Sequence, residues 1–237
     1  MVETNKRYIL LAAIALIAVL AVLSLYIFIQ PTVADERIFA SNISANQATI
    51  SWVTNSPVRE WVAVTEKNNS VPRIFKDDKE TVFLPFSSYG LHYVTASNLN
   101  PKTTYKYKIY QNFKETGSGT FTTSPKVVKV TVSKMVSGQI LSADKKTPAP
   151  GVIVYLQLIE GAQQSSLLST VTDKEGKWSA NILGARTANL KDEFKIASRS
   201  AALVIAEAGS KGRFYARFAV DNKIQTLPNI ILKGTRQ

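Results

Sequence analysis

The chain contains no cysteine and a single histidine, His92, among its 237 residues. The lack of cysteine excludes disulfides, thiol nucleophiles and thiolate metal sites. One histidine leaves little from which to build a Ser-His-Asp triad or a metal centre, since both need an imidazole with further partners around it. We therefore expect no catalytic residue, no metal and no cofactor, and we expect His92 to be a strand residue with a satisfied ring nitrogen.

Charge is absent from residues 8–29, which form a long apolar run. At about 1.5 Å per residue the run can cross a hydrocarbon core of roughly 30 Å, whereas a signal peptide has an apolar core of only about 7–15 residues. Lys6 and Arg7 precede it, so the positive-inside rule places residues 1–7 in the cytoplasm. The sequence predicts a single-pass signal-anchor helix in the cell membrane with a C-terminal ectodomain outside the cytoplasm. Cleavage after Ala34, which would release the ectodomain, is the alternative.

Acidic residues are few relative to basic ones. The chain has 29 Lys and Arg against 17 Asp and Glu, and setting aside Lys6, Arg7 and Glu3 leaves 27 against 16 after the apolar run. Outside a cell such a field favours anionic polysaccharide, wall polymers or lipid headgroups, although a charged surface that serves solubility explains the same excess. We expect the membrane as one partner, anionic polysaccharide or another surface protein as a candidate second, and no nucleic acid.

The region after the apolar run has room for two domains of ordinary size. Short alternating segments, separated by Asn, Ser, Pro and Gly clusters, are typical of half-buried strands. The sequence predicts an all-β fold with two tandem β-sandwich domains, residues 38–125 and 127–233, preceded by one N-terminal transmembrane helix. Without disulfides, burial and sheet pairing alone must stabilise both domains.

Three segments of the first domain form a recognisable set, namely residues 48–52 (ATISW), 99–107 (LNPKTTYKY) and 119–123 (GTFTT). They resemble the second strand, the tyrosine corner and the last strand of a fibronectin type III domain, with most similarity to the module that precedes the catalytic domain of purple acid phosphatases. The resemblance implies that Trp52 is a core residue and that the Tyr105 hydroxyl bonds to nearby backbone. The metal site of those phosphatases lies in a downstream domain with several His, Asp and Asn ligands, so the resemblance carries over the fold and not the activity.

The second domain contains another set, residues 138–140 (GQI), 150–156 (PGVIVYL) and 171–178 (VTDKEGKW). These segments resemble carboxypeptidase regulatory-like and collagen-adhesin B-type sandwiches, whose members are mostly stalks, spacers and adhesion modules. We assign Trp178 a structural role. The resemblance weakens afterwards, and residues 188–194 are expected to form a short helix or an ordered loop.

Some adhesin modules of this kind contain a Lys–Asn isopeptide bond that a buried acid promotes. Lys134, Asn229 and Glu207 stand in the matching order. The alternative is that Glu207 is solvated, as acidic side chains usually are.

Two strands carry the candidate binding residues. Arg213, Tyr215 and Arg217 alternate with apolar residues, which predicts one basic-aromatic face and one core face. Lys106 and Lys108 alternate in the same way on the first domain. Together these five residues are the predicted surface for a polyanionic chain, with a merely solvated strand face as the alternative.

Aromatic and acidic clusters offer weaker candidates. Phe83, Phe86 and Tyr89 could stack on sugar rings or cover the edge of the core. The adjacent acids Asp77 and Asp78 are expected in a solvated turn, because neighbours on a strand point to opposite faces. Residues 173–175 supply two carboxylates, fewer than a calcium ion needs.

The sequence thus predicts a membrane-anchored extracytoplasmic adhesion, scaffold or spacer protein without a catalytic centre. The alternative is a protein that binds glycans or anionic wall polymers. A third hypothesis, an accessory subunit of a phosphatase-like enzyme, depends on the first resemblance alone.

Overall fold

The computed structural model describes residues 38–80, 87–126, 134–197, 200–220 and 225–233. Within these ranges the regular structure is β-strand, apart from one short 3-10 turn at Gly209–Lys211. The prediction of an all-β fold is confirmed. The predicted membrane span, residues 8–29, lies outside the described residues, and among those described no helix has the length and apolarity to cross a membrane.

Among the described residues the first sandwich has seven strands, and every pair of neighbours is antiparallel. They are β1 (Phe39–Ser41), β2 (Gln47–Val58), β3 (Trp61–Glu66), β4 (Arg73–Phe75), β5 (Tyr89–Ser97), β6 (Thr104–Gln111) and β7 (Lys114–Thr122). One sheet has the order β1-β2-β5 and the other β4-β3-β6-β7. This is an immunoglobulin-like or fibronectin type III-like sandwich.

Alternation along β2 and β6 builds the core of this sandwich. Ile50 and Trp52 point inward from β2, while Tyr107 and Ile109 do so from β6. The residues between them in each strand point outward, because successive side chains lie on opposite faces of a sheet. The outer face of β6 carries lysines, whereas the outer face of β2 carries Thr49 and other small polar residues.

The part of the second sandwich that the structure describes has nine strands: β8 (Met135–Leu141), β9 (Ile153–Glu160), β10 (Gln163–Gln164), β11 (Leu168–Val171), β12 (Lys177–Asn181), β13 (Ala201–Glu207), β14 (Arg213–Ala219), β15 (Gln225–Thr226) and β16 (Ile230–Ile231). In one sheet β9 lies between β13 and the short strands β10 and β11, with β14 at the edge beyond β13. In the other, β8 pairs with β12 on one side and runs parallel to β15 and β16 on the other.

The core of the second sandwich lies between these two sheets. Val154, Leu156 and Leu158 of β9 face Val136 and Ile140 of β8. Residues 188–194, predicted as a short helix or an ordered loop, form a loop. Glu193 of this loop pairs with the preceding Arg186 in an isolated bridge, and the buried Phe194 side chain joins the core.

The two sandwiches lie side by side and belong to one compact unit. The outer face of β1-β2-β5 packs on the outer face of the sheet that contains β9. The sheets of the two sandwiches are therefore stacked in four layers.

Candidate functional site

Small polar side chains on the outer face of β1-β2-β5 form the first half of the contact between the sandwiches. In an isolated sandwich Thr49 and Ser51 would face water, yet they are only 1% and 0% exposed. Ser51 Oγ lies 2.8 Å from the hydroxyl of Tyr155, which projects from β9. Buried hydroxyls need hydrogen-bond partners, and here the second sandwich supplies one.

Asn42, directly after β1, makes the densest set of bonds across the contact. Its Oδ1 accepts the Ser169 backbone N–H at 2.8 Å, and its Nδ2 donates to the Ser169 carbonyl at 3.0 Å. The Asn42 amide therefore pairs with the backbone of Ser169 as a neighbouring strand would. Nδ2 also donates to the Tyr93 hydroxyl at 3.0 Å, and that hydroxyl lies 2.9 Å from Ser169 Oγ. Burial raises the pKa of Tyr93.

Tyr155 supplies the aromatic part of the contact. Its ring centroid lies 4.7 Å from that of Phe39, at an interplanar angle of 49°. Burial raises the pKa of Tyr155 well above its ordinary value. We call the following set the docking contact: Phe39, Ser41, Asn42, Thr49, Ser51 and Tyr93 of the first sandwich with Tyr155, Ser169, Glu207 and Arg213 of the second.

Arg213, one of the predicted binding residues, lies at the margin of the docking contact. Its Nε donates to Glu207 Oε2, and its guanidinium lies 5.9 Å from the centroid of the Phe39 ring. Its Nη1 also donates to the Tyr215 hydroxyl at 3.1 Å. The guanidinium is thus held by protein groups of both sandwiches.

The expectation of a solvated Glu207 is wrong, because the residue is 1% exposed and pairs with Arg213. The isopeptide alternative is not supported either. It needs a buried acid beside both Lys134 and Asn229, whereas Asn229 is exposed and Glu207 faces the docking contact.

The five predicted binding residues do not come together. Tyr215 and Arg217 are exposed on the outer face of edge strand β14. Lys106 and Lys108 lie on the outer face of β6, in the sheet of the first sandwich that faces away from the docking contact. Lys108 donates to Glu115 at 2.6 Å. The two β14 residues and the two β6 lysines therefore lie on opposite sides of the first sandwich.

His92 lies at the centre of the most chemically unusual cluster. It is fully buried in β5 and stacks on Trp52, with ring centroids 4.6 Å apart. Its Nδ1 lies 3.5 Å from Asp77 Oδ2 and its Nε2 lies 3.7 Å from Glu60 Oε2. The expectation of a satisfied ring nitrogen is wrong, since among the described residues neither nitrogen has a hydrogen-bond partner.

The carboxylates beside His92 have structural partners of their own. Glu60 accepts the Trp52 indole N–H at 2.5 Å and the Thr116 hydroxyl at 2.9 Å. Asp77 accepts the Tyr93 backbone N–H at 3.0 Å. The solvated turn predicted for Asp77 is therefore wrong, because it anchors its loop to β5. Glu60, Asp77 and His92 are each at most 2% exposed, so the cluster is shielded from solvent.

The predicted sugar platform is described only at Tyr89. Phe83 and Phe86 lie outside the described residues. Tyr89 is half-buried, with the Lys79 ammonium 4.1 Å from its ring centroid. Burial lowers the pKa of Lys79. This is a packed cation–π contact and not an open stacking surface.

Within the described ranges no group of three or more His, Asp and Glu side chains is placed to hold a metal ion. Asp173, one of the two carboxylates in residues 173–175, stabilises its turn by accepting the backbone N–H groups of Glu175 and Lys177 at 3.0 and 2.8 Å.

The three residues given structural roles are buried. Trp52 lies in the first core and Trp178 in the second. The Tyr105 hydroxyl accepts the Asn100 backbone N–H at 2.8 Å, which is the contact that the fibronectin resemblance implies.

Comparison with known proteins does not assign this chain to a family. Scans of family models and of curated proteins find no match. Among solved structures the chain is similar to the chicken CNTN1 FN1–FN3 domains, with 13% identity, a TM-score of 0.28, and coverage of 85% of this chain and 67% of that one.

Two bacterial structures give comparable values. For the group B streptococcus pilus 2b backbone protein the identity is 8% and the TM-score 0.29, with coverage of 86% and 98%. For BcpA, the major pilin subunit of Bacillus cereus, they are 10% and 0.26, with coverage of 87% and 71%. These values are too low to assign a family, and the resemblance to the phosphatase module gains no support from them.

Proposed function

We propose that the chain is a membrane-anchored extracytoplasmic scaffold or adhesion protein that presents a rigid pair of β-sandwiches and has no catalytic centre. The apolar run at residues 8–29, with Lys6 and Arg7 before it, supports the anchor and its orientation. The lack of cysteine fits an ectodomain whose two cores supply its stability without disulfides.

The docking contact is the observation that carries the scaffold proposal. Two modules on a flexible joint would keep their outer faces in water, with hydroxyls bonded to solvent. Here Thr49 and Ser51 are buried, and the Asn42 amide is matched to the backbone of Ser169. Buried polar networks of this kind favour one arrangement over others, since a shifted contact would leave several groups without partners.

Side-by-side packing also discriminates among the predicted roles. An extended spacer gains length by joining modules end to end, whereas side-by-side packing shortens the pair. The arrangement therefore favours a scaffold or adhesion platform over a spacer.

Protease accessibility tests the anchor and its orientation. Cells that express the full chain, with the inner membrane intact and any outer barrier removed, are treated with trypsin. We expect digestion of the ectodomain from outside and protection of an epitope fused before residue 1. Digestion only after lysis of the inner membrane would contradict the proposal.

Binding of an anionic polysaccharide is the second candidate function. Tyr215 is 57% exposed, and Arg217 lies beside it on the same face of β14. We expect Arg217→Ala to weaken salt-sensitive retention of the protein on an anionic polysaccharide column. Lys174→Ala, which removes an exposed charge in the turn after β11, is the matched control. Equal loss in both variants would indicate a general charge effect and not a site.

A further inference from the structure

The turn between β6 and β7 exposes an aromatic side chain, Phe113, to solvent. Asn112 and Phe113 form a two-residue connection, with Gln111 opposite Lys114, and both have positive φ, 47° and 65°. A turn with two positive φ values favours Asn-Gly, because glycine adopts this conformation without steric cost. Phe113 is also 90% exposed. It therefore strains the turn and contributes no burial in return.

The surroundings of Phe113 are basic and aromatic. Lys114 follows it and is exposed. Just before the turn, Tyr110 stacks on Trp61 of β3, with ring centroids 4.5 Å apart. Trp and Tyr beside basic residues are enriched at the boundary between lipid and water, where an apolar ring and a charge can both be accommodated. We call Trp61, Tyr110, Phe113 and Lys114 the hairpin tip.

The described chain begins beside the middle of β7, in the half of the first sandwich that ends at the hairpin tip. The Ile38 side chain packs on Gly117 of β7 so closely that a methyl group at that glycine would come within 2.7 Å of Ile38 Cδ1. At about 3.3 Å per strand residue, Gly117 is about 13 Å along β7 from Phe113. Residues 30–37, between the predicted span and Ile38, can extend at most about 30 Å. An anchor before residue 30 would therefore hold the hairpin tip within reach of the bilayer surface.

We propose that the hairpin tip docks on the outer leaflet of the anchoring membrane, with Phe113 inserted at the boundary of headgroups and acyl chains and Lys114 near anionic headgroups. The proposal rests on the proposed membrane anchor. Insertion explains a strained and exposed aromatic, because the apolar ring then leaves water. A second contact with the bilayer would restrain the ectodomain relative to the membrane, where a single tether would leave it free to rotate.

Spin labels can test this directly, because the chain has no cysteine to remove. The full chain is reconstituted in vesicles of phosphatidylcholine and phosphatidylglycerol, with a nitroxide attached through Asn112→Cys. Val71→Cys is the matched control, since Val71 is 69% exposed in the loop after β3, at the opposite end of the same sandwich. Power saturation compares the access of oxygen, which concentrates in lipid, with that of a water-soluble nickel complex.

We expect oxygen access to dominate at position 112 and nickel access to dominate at position 71. Adding Phe113→Gly keeps the turn and should lower the ratio of lipid-immersed to water-exposed label at position 112 at least about tenfold, the factor for one aromatic ring leaving an apolar phase. Adding Lys114→Glu should reduce immersion in the mixed vesicles and have less effect in pure phosphatidylcholine.

The outcomes separate this proposal from the anchor. Chain that floats with the vesicles but shows nickel access at position 112 equal to that at position 71 overturns the docking of the hairpin tip and leaves the anchor standing. If the label at position 112 stays immersed in lipid after Phe113→Gly, the docking of the hairpin tip is also overturned. Chain that fails to float with the vesicles overturns both the anchor and the docking.

Discussion

Asn42 and Ser169 are joined across the docking contact by a pair of hydrogen bonds in which the Asn42 side-chain amide both donates to and accepts from the backbone of Ser169. The two residues are 127 positions apart in the chain. Their pairing couples the folding of one sandwich to that of the other. Each residue has these hydrogen-bond partners only when both sandwiches are folded and in contact.

Removing the Asn42 amide should therefore loosen the coupling. We expect Asn42→Ala to lower the free energy of unfolding by about 2–3 kcal/mol, since it breaks several bonds and leaves buried partners unsatisfied. The calorimetric transition should broaden or split as the sandwiches unfold separately. Asn98→Ala is the control, because Asn98 also has a positive φ but is exposed and outside the docking contact. Equal losses in the two variants would show that backbone conformation alone is responsible.

Alkaline pH should weaken the docking contact. Burial raises the pKa of Tyr93 and Tyr155 above the value of about 10 in unfolded chains, so the folded state holds these protons more tightly. Their contribution to stability is complete below about pH 9 and falls as the pH rises past the unfolded pKa. Urea midpoints measured across this range should decline, and Tyr155→Phe should reduce the slope. The exposed Tyr215→Phe is the control, and a slope that Tyr155→Phe leaves unchanged would refute the assignment.

Gly176 closes the turn between β11 and β12 under two constraints. Its φ is +69°, and a Cβ there would lie 2.4 Å from the Ile140 carbonyl oxygen. We expect Gly176→Ala to cost about 3 kcal/mol or more in unfolding free energy, because backbone atoms cannot move aside cheaply. Gly161→Ala has a similar φ of +57° with open space around it, and should cost only about 1–2 kcal/mol. Chemical denaturation of both variants measures the difference, and equal costs would contradict the steric argument.

Glu60 is expected to stabilise the first core through its two bonds. Glu60→Ala leaves the Trp52 indole N–H and the Thr116 hydroxyl without that acceptor, and should cost about 3 kcal/mol. Glu60→Gln keeps one acceptor oxygen, which can bond one of the two donors, and should cost less. Thermal unfolding followed by Trp fluorescence compares them. If Glu60→Gln were as damaging as Glu60→Ala, the hydrogen bond that glutamine can keep would contribute nothing, and the prediction would be contradicted.

Phe113→Gly should stabilise the fold, in contrast to the preceding substitutions. Replacing a strained residue at φ 65° with glycine removes an unfavourable conformation and exposes no core, so the free energy of unfolding should rise by about 1 kcal/mol. Denaturation in the absence of lipid measures this gain. A loss of stability would mean that Phe113 has a packing role within the fold.

Strand positions and core residues could be predicted because their patterns are local. Trp52 and Tyr105 belong to short motifs, and alternation along β6 separates core side chains from lysines. Burial of Thr49 and Ser51 could not be predicted, because small hydroxyl residues alternating with apolar ones are equally typical of a solvated face. The partner that buries them lies in another domain.

The predicted binding surface shows the same limit. Alternation correctly placed Lys106 and Arg217 on outer strand faces, yet it says nothing about which faces of two domains lie together. One pairing that was not predicted, between Glu207 and Arg213, could have been inferred from the sequence. Glu207 and Arg213 flank a short connection between two strands, and opposite charges at such positions are often cross-strand partners.

We infer that the two sandwiches form one rigid unit. Nitroxide labels introduced together by Thr120→Cys and Ser179→Cys, both exposed on the outermost sheets, allow the distance between them to be measured by pulsed electron resonance in the full chain. The account predicts a single narrow distance distribution that broadens when Asn42→Ala is added. A broad distribution in the otherwise unaltered chain would contradict it.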